Sequence, residues 1–401
     1  MRRKLIRKFK RLYEQKYVSH VIPMLQWKVR HKRHIRVLFI VCDLSTWKSE
    51  LLFKEMLGHP KFRPIILACP SSEQDECAKI EAVAKERGYE YRRVDNVEGL
   101  DLQHEFHPDI ILYPKPYDGT VAPNLRFEKN LKSLFCFVNY GFHGVDEKWS
   151  RNTSMLNNCW QVYYENRITM ESSAPLMDNK GCNLMLTGLP VQDELMAPAQ
   201  CDPWKKCETP KKRVIWAPHH SIDPENWIHY ATFLEYAELF PKLARKYPEV
   251  QWAFKPHPLL RPKLDKLWGK ERTDAYYSMW DTMPNTQLSD GKYYDLFKHS
   301  DALIHDCGSF TVEYMYTGKP ALYLKAGEHV TDGLNKFQRK AFDCHYIASD
   351  ADAIEVFIKD IVIAGADPLV KERSEFYKGY LIPPYGNSAC HNIVNAILGK
   401  K

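Results

Sequence analysis

The chain has no Cys-x-x-Cys pair, no Gly-x-Gly-x-x-Gly fingerprint, no GxxxxGK[ST] phosphate loop, and no internal repeat. The two missing glycine signatures argue against a dinucleotide reductase and against a P-loop ATPase. Its eleven cysteines are odd in number and scattered, which suits neither a disulfide framework nor a structural zinc site and points to a reducing cytosol. No apolar run approaches the ~20 residues that a membrane-crossing helix needs. Acidic residues are nearly missing from the first 36 positions, where Glu14 alone faces thirteen Lys and Arg, a local charge of +12. The whole chain sums to +7, so the remainder stands at 7 − 12 = −5, and the basic character belongs to the N-terminus alone. A nucleic-acid binder carries its cations on the folded face, so no nucleic-acid partner is expected.

At 401 residues the chain is too long for one comfortable core and long enough for two domains. Hydrophobic residues at 44% suffice to fill two interiors and exclude a disordered chain. Near the N-terminus Leu5, Phe9, Leu12, Tyr13 and Tyr17 fall near helical spacing among Arg2, Arg3, Lys4, Arg7, Lys8, Lys10 and Arg11. A basic amphipathic helix of this kind can lie on an anionic bilayer, each cation contributing roughly 1 kcal/mol. Charge interrupts the apolar core that a signal peptide requires. The expectation is a cytoplasmic protein, peripheral on the inner face of the cell membrane through residues 1–36.

From Ile35 the sequence alternates between short β-branched runs and helical stretches. The runs begin at Ile35, Arg63, Tyr89, Pro108, Leu134 and Trp160, and the segment from Asp43 toward Met56 reads as a helix. Asn183-Leu-Met-Leu-Thr-Gly-Leu-Pro190 reads as the opening of a second domain, followed by runs at Lys211, Val250, Ala302 and Pro320. The alternation predicts an α/β chain of two Rossmann-like doubly wound domains facing a cleft. The expected divisions are residues 1–34 as a basic segment, 35–178 as an N-terminal acceptor domain, and 179–401 as a C-terminal donor domain that includes the last helix.

Ligands bind open parallel sheets beyond the carboxyl ends of their strands, so the strand-end loops hold the candidate site residues. In Ile304-His-Asp-Cys-Gly-Ser-Phe-Thr-Val-Glu-Tyr314 a strand gives way to a small-residue turn and then a helix. Asp306, Gly308, Ser309 and Thr311 would surround a helix N-terminus suited to phosphate, with Ser309 also able to cap the helix. Glu313 would repel phosphate, so it either accepts ligand hydroxyls or complements the helix dipole. His143 lies in Asn139-Tyr-Gly-Phe-His-Gly-Val-Asp146, and His257 in Phe254-Lys-Pro-His-Pro258. An imidazole can take a proton from an acceptor hydroxyl, or stabilise departing phosphate charge. Trp216-Ala-Pro-His-His-Ser221 is a third strand-end loop that offers His219, His220 or Ser221, and Lys255 and Arg261 could neutralise phosphate.

Together with Tyr385-Gly-Asn-Ser-Ala-Cys-His-Asn-Ile-Val394, these loops resemble the CDP-glycerol glycerophosphotransferases of teichoic-acid synthesis over about residues 130–398. That resemblance implies a GT-B fold and transfer of glycerol phosphate from CDP-glycerol to a membrane-bound acceptor at the inner membrane face. It assigns His143, in the family's His-Gly loop, as base toward the acceptor hydroxyl. His257 would contact the transferred phosphate or the leaving group, and Asp306, Cys307, Gly308, Ser309 and Glu313 would form the donor segment. Cys307-Gly308 replaces the family's usual Tyr-Ser, and Gly141-Phe142 precedes His143 where the family commonly has Trp, which leaves glycerol, ribitol or sugar nucleotides open as donors. No metal or cofactor is required, since the CDP-activated donor is itself a substrate and protein groups can carry its charge. The expected partners are a nucleotide-activated donor and a lipid-linked or polymeric acceptor. The alternative is a GT-B glycosyltransferase that uses a nucleotide sugar in capsule or lipopolysaccharide synthesis.

Overall fold

Strand β1 (Ile35–Val41) reads IRVLFIV, and every residue in it except Arg36 is buried. A strand with both faces covered belongs in the middle of a parallel sheet with helices on either side. The computed structural model, which describes residues 16–70, 76–113, 115, 122–223, 225 and 229–400, bears this out. With β1 run β2 (Phe62–Ala68), β3 (Tyr91–Arg93), β4 (Ile110–Tyr113), β5 (Leu134–Phe137), β6 (Gln161–Tyr164) and β7 (Leu184–Leu186). They pair in parallel in the order β3-β2-β1-β4-β5-β6-β7.

A second parallel sheet holds β8 (Lys212–Ala217), β9 (Val250–Phe254), β10 (Thr286–Leu288), β11 (Ala302–His305), β12 (Ala321–Leu324) and β13 (Tyr346–Ala348). Its order is β10-β9-β8-β11-β12-β13. Aromatic side chains fill its core: Trp216 on β8 stacks on Phe240 at 4.1 Å, and Trp252 and Trp280 are fully buried beside them. The α/β class and the two doubly wound sheets are therefore as the alternation predicts.

The structure draws the division between units differently from the sequence. One unit comprises residues 1–194 and 382–401, the other residues 195–381. The Asn183 segment does not open a second domain, because β7 pairs with β6 through Val162, Tyr163 and Tyr164. The last helix, Ala389–Leu398, also returns to the first unit. Asp193 accepts the backbone N–H groups of Ala389 and Cys390, each at 2.8 Å, at the start of that helix. Asn392 Nδ2 donates to Thr187 O at 3.0 Å, and Gln161 Nε2 to Ala396 O at 3.1 Å. These long-range contacts carry no local signature.

Two further expectations change. Residues 43–49 form a loop, and the helix runs only from Glu50 to Gly58, because the Asp43 carboxylate accepts Ser45 N–H at 2.7 Å and turns the chain. Of the amphipathic N-terminal segment, Leu5, Phe9, Leu12 and Tyr13 lie outside the described residues. Tyr17 is buried, its hydroxyl donating to Ser133 O at 3.1 Å, so it belongs to the first unit's interior.

Gly188 adopts φ +81°, and a Cβ placed there would lie 2.7 Å from Ala389 Cβ. Gly188→Ala is expected to destabilise the first unit by about 1–3 kcal/mol through overpacking and backbone strain, read as a lower urea midpoint.

Candidate functional site

In each sheet the strand order reverses once, between β1 and β4 and between β8 and β11. Neighbouring loops diverge at such a point and leave a crevice beyond the carboxyl ends. In the first unit that crevice is a pocket lined by the ends of β1, β4 and β5, with Asp43, Trp47, Lys48, Asn139 and Tyr140 around it.

His143 leaves the loop after β5 and is only 2% exposed. Its ring stacks on Tyr164 with centroids 4.3 Å apart and planes 8° from parallel. Nδ1 lies 2.6 Å from Glu165 Oε2, and the His143 backbone N–H donates to Glu165 Oε1 at 3.0 Å. Burial pushes the imidazole down, outweighing the attraction of the carboxylate. Burial alone would raise Glu165, but His143 and the backbone N–H hold its carboxyl low. The consistent state is a neutral ring whose Nδ1–H donates to ionised Glu165, which places the lone pair on Nε2. Glu165 directly follows β6, as His143 follows β5 by a short loop, and sequence reasoning missed it. The one available signal was a carboxylate at the end of a buried strand.

In the second unit the loops after β8 and β9 bring three imidazoles together. Ring centroids are 4.3 Å apart for His219 and His220, 4.3 Å for His220 and His257, and 5.2 Å for His219 and His257. His219 Nδ1 accepts Ser221 N–H at 3.3 Å and lies 2.8 Å from Ser221 Oγ. His220 Nδ1 faces Lys263 Nζ at 3.1 Å, and His257 Nδ1 accepts Leu259 N–H at 3.1 Å. Burial, then neighbouring imidazoles and lysines, pushes His219 and His257 down to about 3. Burial and then Lys263 lower His220 as well.

Among the described residues this is the one His, Cys and carboxylate group tight enough to hold a metal, with a ligand atom from each residue within 4.8 Å of the others. Its surroundings have the wrong polarity for that. A metal-bound histidine donates its second ring N–H outward, whereas here each Nδ1 faces a donor. A neutral ring accepting at Nδ1 carries its proton on Nε2, so the cluster presents N–H groups, which suit an oxyanion.

The β11 segment departs from its expected role. Asp306 is fully buried, Oδ1 accepting His219 N–H at 2.6 Å and Oδ2 accepting Thr232 N–H at 2.7 Å and Thr232 Oγ1–H at 2.9 Å. Burial raises its carboxyl to about 6 against those hydrogen bonds. Asp306 therefore fastens the β8 loop rather than facing a ligand. The following helix spans only Phe310–Glu313, and Ser309 makes no capping hydrogen bond, so the expected dipole is small.

Thr311 is buried and donates to Cys307 O at 3.3 Å, while Glu313 accepts from Tyr293 Oη at 2.6 Å. Buried Ser221 supports His219 from beneath, Oγ accepting Tyr230 N–H at 3.0 Å. Gly308 and Ser309 remain exposed. Lys255 is buried with Nζ over the Tyr293 ring, and Arg261 pairs with Asp274 at 2.6 Å.

Two Rossmann-like units, each with a doubly wound parallel sheet, place the chain in the GT-B fold class. Among solved structures it is similar to the S. aureus MnaA–UDP co-structure, at 15% identity over 90% of this chain and 96% of that one, with TM-score 0.60. A putative UDP-N-acetylglucosamine 2-epimerase from Listeria monocytogenes gives 14%, 91%, 96% and 0.61. The wall teichoic acid polymerase TagF gives 14% identity over 99% of this chain and 96% of that one, with TM-score 0.59. No family model matches the chain, and no curated protein does.

Two predictions follow from the buried ionisable groups. Glu165→Ala leaves the Nδ1–H and backbone N–H of His143 without an acceptor and is expected to cost about 2–5 kcal/mol, measured by urea unfolding, with Glu165→Gln recovering part. His219 and His257, held neutral to about 3, are joined by buried His345, held to about 4 by desolvation. Each binds a proton near pH 6.5 only once unfolded, so their contribution is complete above 6.5 and declines as pH falls toward 4. The melting temperature is expected to drop across that window, and substituting His345 by Gln to flatten the drop.

Proposed function

We propose that this chain is a transferase that moves glycerol phosphate, or a related polyol phosphate, from a CDP-activated donor to a membrane-linked precursor of a cell-surface polymer. The observation that carries the reading is the cluster of His219, His220 and His257 beyond the carboxyl ends of β8 and β9, beside the strand-order reversal, three neutral rings offering N–H groups where a doubly wound sheet binds its ligand. The motif resemblance and the fold shared with a teichoic acid polymerase support the same reading.

In this mechanism the acceptor hydroxyl attacks the phosphorus that bears glycerol. A new P–O bond forms, the phosphoanhydride bond breaks, CMP departs, and the hydroxyl proton passes to His143 Nε2. Glu165 holds the tautomer that leaves Nε2 basic. His257, His219 and exposed Ser309 hold the diphosphate, while Asp306, Ser221, Thr311 and Glu313 shape its surroundings from within the fold.

Residues 1–36 would attach the protein to the inner membrane face. In the helix Ile22–His31 the exposed side chains of Trp27 and Met24 stand among Lys28, Arg30 and His31, a composition suited to the interface. Among the described residues no helix is long and apolar enough to cross a membrane.

A second reading, a GT-B glycosyltransferase with a nucleotide-sugar donor, is favoured by the fold shared with a protein solved with UDP. Incubation with CDP-glycerol and a lipid-linked acceptor is expected to release CMP, and His143→Ala to slow release about 100- to 10,000-fold. No CMP from CDP-glycerol or CDP-ribitol would overturn the first reading, and UDP or GDP released from a nucleotide sugar would establish the second.

A further inference from the structure

The loop that walls the first unit's pocket is rooted on a cysteine. Cys42 directly follows β1 and Cys69 directly follows β2. The two strands run parallel in a register that ends with Val41 opposite Ala68, and Cys69 N–H continues the ladder to Val41 O at 3.0 Å. The next rung is therefore Cys42 opposite Cys69. Adjacent strands lie about 4.8 Å apart, and residues in register project to the same face. That spacing falls within the roughly 4.4–6.8 Å between Cα atoms that a disulfide spans.

In that register the Cys42 and Cys69 side chains project to the same face at the carboxyl ends of β1 and β2. Cys42 is half-buried and Cys69 is 1% exposed, so a small oxidant reaches Cys42 first. The remaining nearby thiol, Cys77, is buried in the helix Glu76–Glu86, its Sγ directed to Val94 O at 3.9 Å. Residues 43–49, which line the pocket through Asp43, Thr46, Trp47, Lys48 and Ser49, begin where this pair ends.

We propose that Cys42 and Cys69 form a reversible, peroxide-oxidisable dithiol that restrains the pocket loop when closed. The Cys42 thiolate attacks hydrogen peroxide; its S–O bond forms, the O–O bond breaks, and the departing hydroxide takes up a proton as water. Cys69 then attacks the Cys42 sulfenic sulfur, the S–S bond forms, the S–O bond breaks, and a second water leaves. The two thiols lose two electrons and peroxide gains them; a small-molecule thiol reverses the step by exchange.

The environments divide the two roles accordingly. The neighbouring Cys69 thiol, opposed by burial and aided by the Lys115 cation, lowers Cys42, whereas the Cys42 thiol and burial hold Cys69 well up. The lower thiol is the attacking one and the other resolves it. None of this depends on which donor the chain uses.

The test is peroxide titration of the reduced full-length protein, followed by alkylation, digestion and mass spectrometry. The expected result is one linked pair of peptides containing Cys42 and Cys69, undone by dithiothreitol, with slower amide hydrogen exchange over residues 43–49 in the oxidised form. In Cys69→Ser, dimedone is expected to trap Cys42 sulfenic acid, and Cys77→Ser is expected to leave the link intact. Oxidation of Cys42 to sulfinic acid without a link in the wild-type chain, a link to Cys77, or unchanged exchange over 43–49 would each overturn the proposal. The wild-type mapping and exchange decide the matter even where a serine variant does not fold.

Discussion

A parallel strand cannot turn back on itself, so each connection must cross a face of the sheet, and the order of strands decides where two loops part. In both sheets that parting occurs once, beside β1 in the first unit and beside β8 in the second. Those carboxyl ends are the places where backbone and side chains are not consumed by covering helices. The pocket beside β1 and the histidine cluster beside β8 are two consequences of one topological constraint.

Buried polar groups position the strand-end loops, after β8 in the second unit and after β5 and β6 in the first. Asp306 spends both carboxylate oxygens on the loop after β8 and so sets where His219 stands. Glu165 takes both the ring and backbone N–H of His143. Both carboxylates are sealed from water, where an unsatisfied oxygen would be costly, which makes them rigid supports. In the cluster, each Nδ1 faces a hydrogen-bond donor, which puts the proton of a neutral ring on Nε2.

The alternation of short β-branched runs with helical stretches foretold two doubly wound sheets, and β1, β8, β9 and β11 fall where their runs stand. Of the candidate residues, His143 and the His219–His257 neighbourhood were legible as strand-end polar loops. Glu165 was not, because a single carboxylate beside Tyr164 shows its purpose only when β6 lies next to β5. Asp306 and Thr311 were read as ligand groups because hydroxyls and carboxylates at a strand end look alike whether they face solvent or the interior; burial separates them.

Local pattern alone was enough for the class of fold and the parallel sense of its strands, since hydrophobic period is a property of neighbouring residues. Tertiary structure alone assigned the C-terminal helix and β7 to the first unit, turned Asp306 inward, joined Glu165 to His143 and set Cys42 opposite Cys69. Those outcomes rest on hydrogen bonds and strand register between residues far apart in the chain, and such pairings leave no periodic trace in sequence.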